Sequence, residues 1–362
     1  MPAHSPPANL EMPLIEVAGS PTERGEAHGE ALRDLVQEHV EQHLAWLLRE
    51  ASVQLTEAGL LELWAPYRVA NEQAAPALVA EMRGIARGAD VPFERIFLLN
   101  SLLDVGNLRF FNCARGMMGC TTFAAPGEPL IGQTYDLAGF RKRYNALLRI
   151  SPAEGPRQLV YTFAGMIGAA GLNEAGVGVV INFLSVNDLR PGKLHSVIVR
   201  QILECDNLAD ALTSPAVGPR ACGAHYLIAD DTGTCVGVET SGTRFAAHYP
   251  DGRPYGHTNH FLSDAMREVE VIRASSIGGS LSRYAHLRRF LAERESLSAA
   301  EVRQLTRHHG GYPRSICQHG PESVPEDRRG QTLAALLLFP AERRLEITHG
   351  CACQAEYASV SV

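Results

Sequence analysis

Residues 118–125 read Met118-Gly119-Cys120-Thr121-Thr122-Phe123-Ala124-Ala125. A Gly-Cys pair heads an apolar, β-branched run, which breaks at Pro126-Gly127-Glu128-Pro129 and resumes as Leu130-Ile131-Gly132-Gln133-Thr134-Tyr135-Asp136. Two strand-like runs about a Pro/Gly turn read as a hairpin. The hairpin puts Cys120 at the mouth of its first strand and returns Asp136 close to it. A thiol at a strand end beside a carboxylate is a candidate nucleophile. The competing reading is a core cysteine that opens a buried strand, a common place for a free thiol.

Upstream the pattern is helical. Across residues 23–51, Leu32, Val36, Val40, Leu44 and Leu47 keep helical spacing, and Glu30, Arg33, Asp34, Glu38 and Glu41 fill the other face. Further helices are predicted at Leu60–Tyr67, Leu78–Arg87 and Phe93–Asp104, punctuated by Pro66, Gly88 and Pro92. A short Gly-containing linker, residues 111–118, leads into Cys120.

Downstream the pattern changes to hairpins. Strands are predicted at Tyr144–Ser151 and Gln158–Phe163, then in pairs at Gly168–Asn173 with Val177–Phe183, His225–Ala229 with Thr234–Thr240, and Leu333–Phe339 with Arg344–Thr348. Helical stretches fall at Ser196–Leu212, Leu281–Glu295 and Ala299–His308. Runs of hairpins and runs of helices fit an α+β fold with antiparallel sheets better than a parallel βαβ array. Several strands are apolar on both faces, such as Val177, Val179, Val180 and Ile181. Such strands need cover on both sides, which predicts two stacked sheets with helices outside.

Composition narrows the function. A formal charge of −7 with no basic run speaks against nucleic acid as a partner. No apolar run approaches the ~18 residues that span a bilayer, so no membrane partner is expected. Residues 1–9 lack the positive cluster and apolar centre of a signal peptide, and read as a disordered tail on a cytoplasmic protein. Eight cysteines in 362 residues are too few for a disulfide scaffold. Cys351-Ala352-Cys353, Cys317-Gln318-His319 and His257-Thr258-Asn259-His260 invite a metal reading. None has the paired spacing of a structural zinc site, so packed thiols and no metal are expected. No Gly-rich phosphate cradle is present in the sequence, and no cofactor is expected.

The hairpin and several later blocks resemble the acyl-coenzyme A:6-aminopenicillanic acid acyltransferase family of N-terminal nucleophile hydrolases. The matching blocks are Gly119-Cys120-Thr121-Thr122, Gly132-Gln133-Thr134-Tyr135-Asp136, Gly171-Leu172-Asn173-Glu174-Ala175-Gly176, His257-Thr258-Asn259-His260-Phe261 and Tyr312-Pro313-Arg314-Ser315-Ile316-Cys317. Gly19-Ser20-Pro21-Thr22-Glu23-Arg24-Gly25 resembles the family's opening, so the blocks run in order over nearly the whole chain. The resemblance implies a four-layer αββα sandwich of two antiparallel sheets, with a mainly helical N-terminal segment. It also implies autocatalytic cleavage between Gly119 and Cys120. Residues 1–119 would become the α subunit and 120–362 the catalytic β subunit, the two forming one globular heterodimer from a single precursor. A homo-oligomer is left open.

The chemistry has a physical rationale. A cysteine of ordinary pKa, ~8.5, is mostly thiol at neutral pH and needs a base. None of the fourteen histidines lies in a motif that points to Cys120. A free α-amino group on Cys120, with pKa ~7.7–8.0, would supply that base within the same residue. Gly119 leaves its carbonyl unobstructed. By the resemblance, Asp136 lies beside the new N-terminus and Tyr135 beside the substrate, while Asn259 serves as side-chain donor to the oxyanion. The backbone at Gly168 and Ala169 is expected to give the second donor. Arg314, or Arg283 in its place, would contact substrate, although Gln318 stands where family members often carry arginine. The leading expectation is an amidohydrolase that cleaves a small N-acyl amide through an acyl-enzyme on Cys120. The alternatives are an N-acyltransferase, with or without acyl-coenzyme A as donor, an amidase of the bile-salt or penicillin V acylase type, and a non-catalytic α+β protein.

Overall fold

The computed structural model describes residues 7–106, 119–125, 127–274, 276–325 and 329–362. The linker 111–118 and most of the expected N-terminal tail lie outside the described residues. The chain opens with a strand that hydrophobic patterning did not reveal, β1 (Leu14–Gly19), followed by α1 (Pro21–Ala31), α2 (Arg33–Glu50), α3 (Glu57–Ala74), α4 (Pro76–Ala89), α5 (Phe93–Asn100) and α6 (Leu102–Gly106). Ser20 and Glu23 form a capping box at the start of α1, with Pro21 just inside the helix. The single helix expected over 23–51 is broken at Leu32, which ends α1 and starts α2 with φ −118° and ψ 25°. The break turns α1 onto α4. Gly25, Gly29, Gly84 and Gly88 let the two backbones touch; a Cβ on Gly25 would lie 2.0 Å from the Glu81 carbonyl oxygen. Glycine here carries contact that apolar side chains carry elsewhere, so periodicity misses it.

The hairpin at the centre of the sequence forms as β2 (Gly119–Ala125) and β3 (Leu130–Ala138), paired from Gly119↔Asp136 to Ala125↔Leu130. There follow β4 (Asn145–Pro152), β5 (Gln158–Phe163), β6 (Ala170–Asn173), β7 (Gly178–Leu184), α7 (His195–Leu203), α8 (Leu208–Ala216), β8 (Gly223–Ala229), β9 (Cys235–Thr240), β10 (Phe245–His248), β11 (Tyr255–His257), α9 (Ile277–Ala292), α10 (Ala299–Thr306), β12 (Gly330–Phe339), β13 (Arg344–Ile347) and β14 (Ala358–Ser361). The helix expected across 196–212 divides into α7 and α8 because the Asn207 side chain caps a new helix, accepting from the Asp210 N–H.

These strands make two sheets, β1-β4-β5-β6-β7-β8-β9-β10 and β11-β2-β3-β12-β13-β14. Every pairing is antiparallel except β1 with β4, which run parallel from Leu14↔Leu147 to Gly19↔Pro152. The sheets face one another: Thr122 of β2 hydrogen-bonds Asn182 of β7 at 2.7 Å, and Ile131 packs beside Gly178. On the far side of the smaller sheet, Phe123, Leu130, Leu337 and Phe339 meet Leu287 of α9 and Val302 and Leu305 of α10 in a separate core. The larger sheet is covered by α7, whose Leu203 lies against Gly171. The result is the αββα layering the resemblance implied. None of the described helices is long and apolar enough to cross a membrane.

The N-terminal helices are fastened to the sheets by buried charge. Glu81 of α4 accepts hydrogen bonds from Arg24 of α1 at 2.9 Å and from Arg200 of α7 at 2.6 Å. Burial raises the Glu81 pKa, but the two guanidinium groups outweigh it and the carboxyl stays below its ordinary value. Arg141, in the helical turn just after β3, hydrogen-bonds His39 and His43 of α2 at 3.0 and 2.8 Å. Burial, and then the Arg141 charge, hold the His39 ring neutral with its pKa lowered to about 3.

Candidate active site

Cys120 is the second residue of β2, and its backbone is held by side chains at both ends. The strand's neighbour β11 stops at His257, opposite Thr122, so no ladder carbonyl reaches the Cys120 N–H. Asn259, two residues past the end of β11, takes that place, accepting the Cys120 N–H at its Oδ1 over 2.8 Å. The Cys120 carbonyl accepts from Asn182 Nδ2 of β7 at 3.0 Å and from Arg283 Nη1 of α9 at 2.6 Å. Arg283 is buried and also donates to Thr121 Oγ1 at 3.0 Å and to Asn259 Oδ1 at 2.7 Å. Two donors converge on Asn259 Oδ1, which settles which end of that amide is oxygen.

The loop that carries Asn259 is itself anchored. The Asn259 N–H donates to Ser280 Oγ of α9 at 2.8 Å, and His260 Nδ1 lies 2.9 Å from the same hydroxyl. Glu239 of β9 bonds His257 Nε2 at 2.9 Å and accepts the Leu262 N–H at 2.6 Å. Burial alone would raise the Glu239 pKa; the hydrogen bonds from His248 and His257 overcome it and leave the carboxyl well below its ordinary range.

The pleat separates the groups around the Gly119–Cys120 peptide. Tyr135, opposite Cys120, and Thr122 point toward the other sheet, while Phe123 points to α9 and α10. Asp136, opposite Gly119, therefore lies on the α9 side. Carboxylate and sulfur are close but on different faces, and the carboxylate faces Gly119 directly. A Cβ built on Gly119 would lie 3.2 Å from Asp136 Oδ2, 3.2 Å from Arg283 Nη2 and 3.4 Å from Gln318 Oε1.

Asp136 is wholly buried. Its Oδ1 accepts from Thr332 Oγ1 at 2.7 Å, and its Oδ2 has no partner among the described residues. Thr332 reaches it from a β-bulge, where β12 slips register between Thr332 and Ala334. Thr332 is fixed in turn to Gln318: Thr332 N–H to Gln318 O and Gln318 N–H to Thr332 Oγ1, each 2.9 Å. Burial pushes the Asp136 pKa up to about 7, against the pull of the Arg283 charge and the Thr332 hydrogen bond. Burial, and then the nearby Asp136, push the Cys120 thiol up to about 12. In the continuous chain the sulfur is thus a neutral thiol.

Of the residues singled out in the sequence, Gly119, Cys120, Tyr135, Asp136, Asn259 and Arg283 converge here. Asn259, the expected oxyanion donor, turns Oδ1 to the Cys120 N–H and gives one of its two Nδ2 hydrogens to the Phe183 carbonyl at 3.0 Å. Gly168 packs on Arg200 and Val160, and the Ala169 N–H donates to the Tyr161 carbonyl at 3.0 Å. Arg314 lies against Gly279 at the start of α9, and Arg283 is the arginine at Cys120. Tyr135 packs edge-on to Tyr161, with ring centroids 5.5 Å apart, as a buried wall beneath the thiol. Asn182 escaped the sequence reading. Its signal was a lone amide inside the apolar run Val179-Val180-Ile181-Asn182-Phe183.

A family model described as acyl-coenzyme A:6-aminopenicillanic acid acyl-transferase matches residues 123–352, well over half of the chain. The chain belongs to that family. Its membership bears out the resemblance seen in the sequence, and makes it an enzyme of the acyltransferase and amidohydrolase type acting on amide bonds. A curated relative, the 40 kDa form of acyl-coenzyme A:6-aminopenicillanic-acid-acyltransferase from Emericella nidulans, is 26% identical over 341 residues, covering 93% of this chain and 92% of the relative. Among solved structures, a penicillin V acylase from Agrobacterium tumefaciens is similar at 9% identity and a TM-score of 0.42, covering 67% of this chain and 86% of that one. A conjugated bile acid hydrolase from Clostridium perfringens, solved in a mutant form, is similar at 10% identity and a TM-score of 0.41, covering 68% of this chain and 97% of that one. At these scores neither structure bears on the function of this family member.

Proposed function

We propose that the chain cuts its own Gly119–Cys120 bond and then works as an N-terminal cysteine amidohydrolase on a small N-acyl amide. The observation that carries this reading is the hold on Cys120: Asn259 on its nitrogen, Asn182 and Arg283 on its carbonyl. None of these anchors belongs to the segment before the cut, so Cys120 keeps its place when the bond to Gly119 is gone. In maturation Cys120 Sγ attacks the Gly119 carbonyl carbon, its proton passes to the departing Cys120 nitrogen, and the C–N bond breaks to leave a thioester. Water then splits the thioester to a Gly119 carboxylate and a free thiol.

The cut supplies a base within Cys120 itself. A free α-amine with pKa near ~8 takes the thiol proton as sulfur attacks the substrate amide. The substrate's amine leaves with that proton, and water hydrolyses the acyl-enzyme to the free acid. Asp136 Oδ2 and Asn259 Oδ1 flank the new ammonium and orient it. Residues 1–119 and 120–362 stay together because β1 lies in the larger sheet and Glu81 bridges Arg24 to Arg200. The described cysteines are all free, in keeping with a reducing cytoplasmic setting.

Family membership also favours a second reading, transfer of the acyl group to an amine, with acyl-coenzyme A as a donor. Hydrolysis is preferred because water at ~55 M competes for the thioester unless a site binds the amine and excludes it. A denaturing mass spectrum of active protein tests maturation: two pieces divided at 119/120 are expected, and an intact chain alone refutes the cut. Partitioning one acyl donor between water and rising amine then separates the two reactions. Capture of most of the acyl group by millimolar amine refutes hydrolysis.

A further inference from the structure

Away from Cys120, the loop after α10 and the turn after β13 bring His309, Cys317, His319 and Cys353 together, one donor atom from each within 4.8 Å of all the others. We propose that these four side chains bind a structural zinc ion in tetrahedral coordination. Zn–S bonds of ~2.3 Å and Zn–N bonds of ~2.0–2.1 Å at tetrahedral angles place sulfurs ~3.8 Å apart, sulfur and nitrogen ~3.6 Å apart and nitrogens ~3.3 Å apart. The structure has Cys317 Sγ 3.6 Å from Cys353 Sγ, His319 Nε2 3.7 Å from Cys317 Sγ and 3.4 Å from Cys353 Sγ, and the His309 and His319 Nε2 atoms 3.1 Å apart. Two thiols and two ring nitrogens aimed at one point are a ligand set. Thiols packed as small hydrophobes do not need imidazole nitrogens facing them.

The chemistry of the donors selects the ion. Two sulfurs and two imidazoles in tetrahedral array suit zinc over magnesium or calcium, which take oxygen. Binding releases the two thiol protons to solvent, and the two thiolates neutralise the ion's charge. His319 is oriented from behind, with Cys351 Sγ 3.8 Å from its Nδ1, leaving Nε2 to face the other three donors. Cys317 is buried, while His309 and Cys353 are exposed and open a path for the ion.

The site clamps parts of the chain far apart in sequence, and Cys317 and His319 flank Gln318. Gln318 bonds Thr332, and Thr332 bonds Asp136. The ion would thus stiffen the loop behind the carboxyl group that faces Gly119. Spacing along the chain conceals such a site because its donors come from two loops, not from one short motif.

The test is metal analysis of the full-length protein purified without chelators, with about one zinc per chain expected by plasma mass spectrometry. His309→Ala and Cys353→Ser sit at exposed positions, and each is expected to lower the zinc content severalfold with the circular dichroism spectrum retained. Cys205→Ser should leave it unchanged. Cobalt-loaded wild-type protein should show thiolate-to-metal charge transfer and the intense visible bands of a tetrahedral site, which Cys353→Ser weakens. The proposal is overturned by protein that contains no zinc and takes up none when it is added, or by metal content indifferent to both variants. A Cys317–Cys353 disulfide as the resident form overturns it equally.

Discussion

Asp136 offers a test whose sign follows from its burial. In the continuous chain burial raises its pKa from 3.8 to about 7. The folded state then holds a proton that the unfolded chain releases near pH 4. The stability this contributes is complete below the unfolded pKa and is lost as pH rises through about 7. At ~1.36 kcal/mol per pKa unit, the contribution is about 3 kcal/mol at pH 5 and close to nothing at pH 8. The comparison uses Cys120→Ala, which keeps the chain continuous and removes a thiol that is neutral throughout this range, against Cys120→Ala/Asp136→Asn. Urea unfolding of both at pH 5 and pH 8 isolates the carboxyl, since all other titrations cancel in the double difference. The carboxyl-bearing protein should lose about 3 kcal/mol more between the two pH values than its Asn partner. A double difference within ~0.5 kcal/mol of zero would show that Asp136 ionises normally. A folded pKa held below the unfolded one by the Arg283 charge gives the same near-zero reading, because both states are then ionised at pH 5 and at pH 8. That result removes the basis for treating Asp136 as a carboxyl that becomes fully charged only when an ammonium forms beside it.

Cys120→Ala should yield a folded, uncut and inactive chain, and Cys120→Ser should mature more slowly because the hydroxyl is the weaker nucleophile; a gel time course reads both, and full activity in either variant excludes Cys120. Asn259→Ala leaves the Cys120 N–H and Arg283 without their shared acceptor, so maturation should slow by ~10²-fold or more, at a stability cost of ~1–3 kcal/mol. Pulse-chase labelling measures the first, and normal cleavage with only a lower melting temperature would make Asn259 a loop residue. Arg200→Met strips Glu81 of one of its two buried guanidinium partners and should destabilise the protein by ~3–5 kcal/mol in denaturant. A loss below ~1 kcal/mol would mean Arg24 alone compensates Glu81.

What the sequence determined on its own was local. The β2–β3 hairpin, the strand pairs that follow it and the helices before it are written in spacing and turn residues, because burying one stripe or both faces demands a regular apolar pattern. Gly119, Cys120 and Asp136 were legible as a site because that hairpin alone brings them level. The tertiary structure decided the polar partners. Arg283 and Arg314 look alike in sequence, and only the seating of α9 against β2 brings Arg283 to the Cys120 carbonyl. Asn182 meets Cys120 because β7 faces β2 across the sandwich, and Asn259 turns its oxygen inward because β11 ends two residues too early to satisfy the Cys120 N–H. The helix break at Leu32 and the joining of His309, Cys317, His319 and Cys353 were hidden for the same reason. Apolar burial follows the rhythm of one segment, whereas a directed hydrogen bond or a ligand set depends on which distant segments the fold makes neighbours.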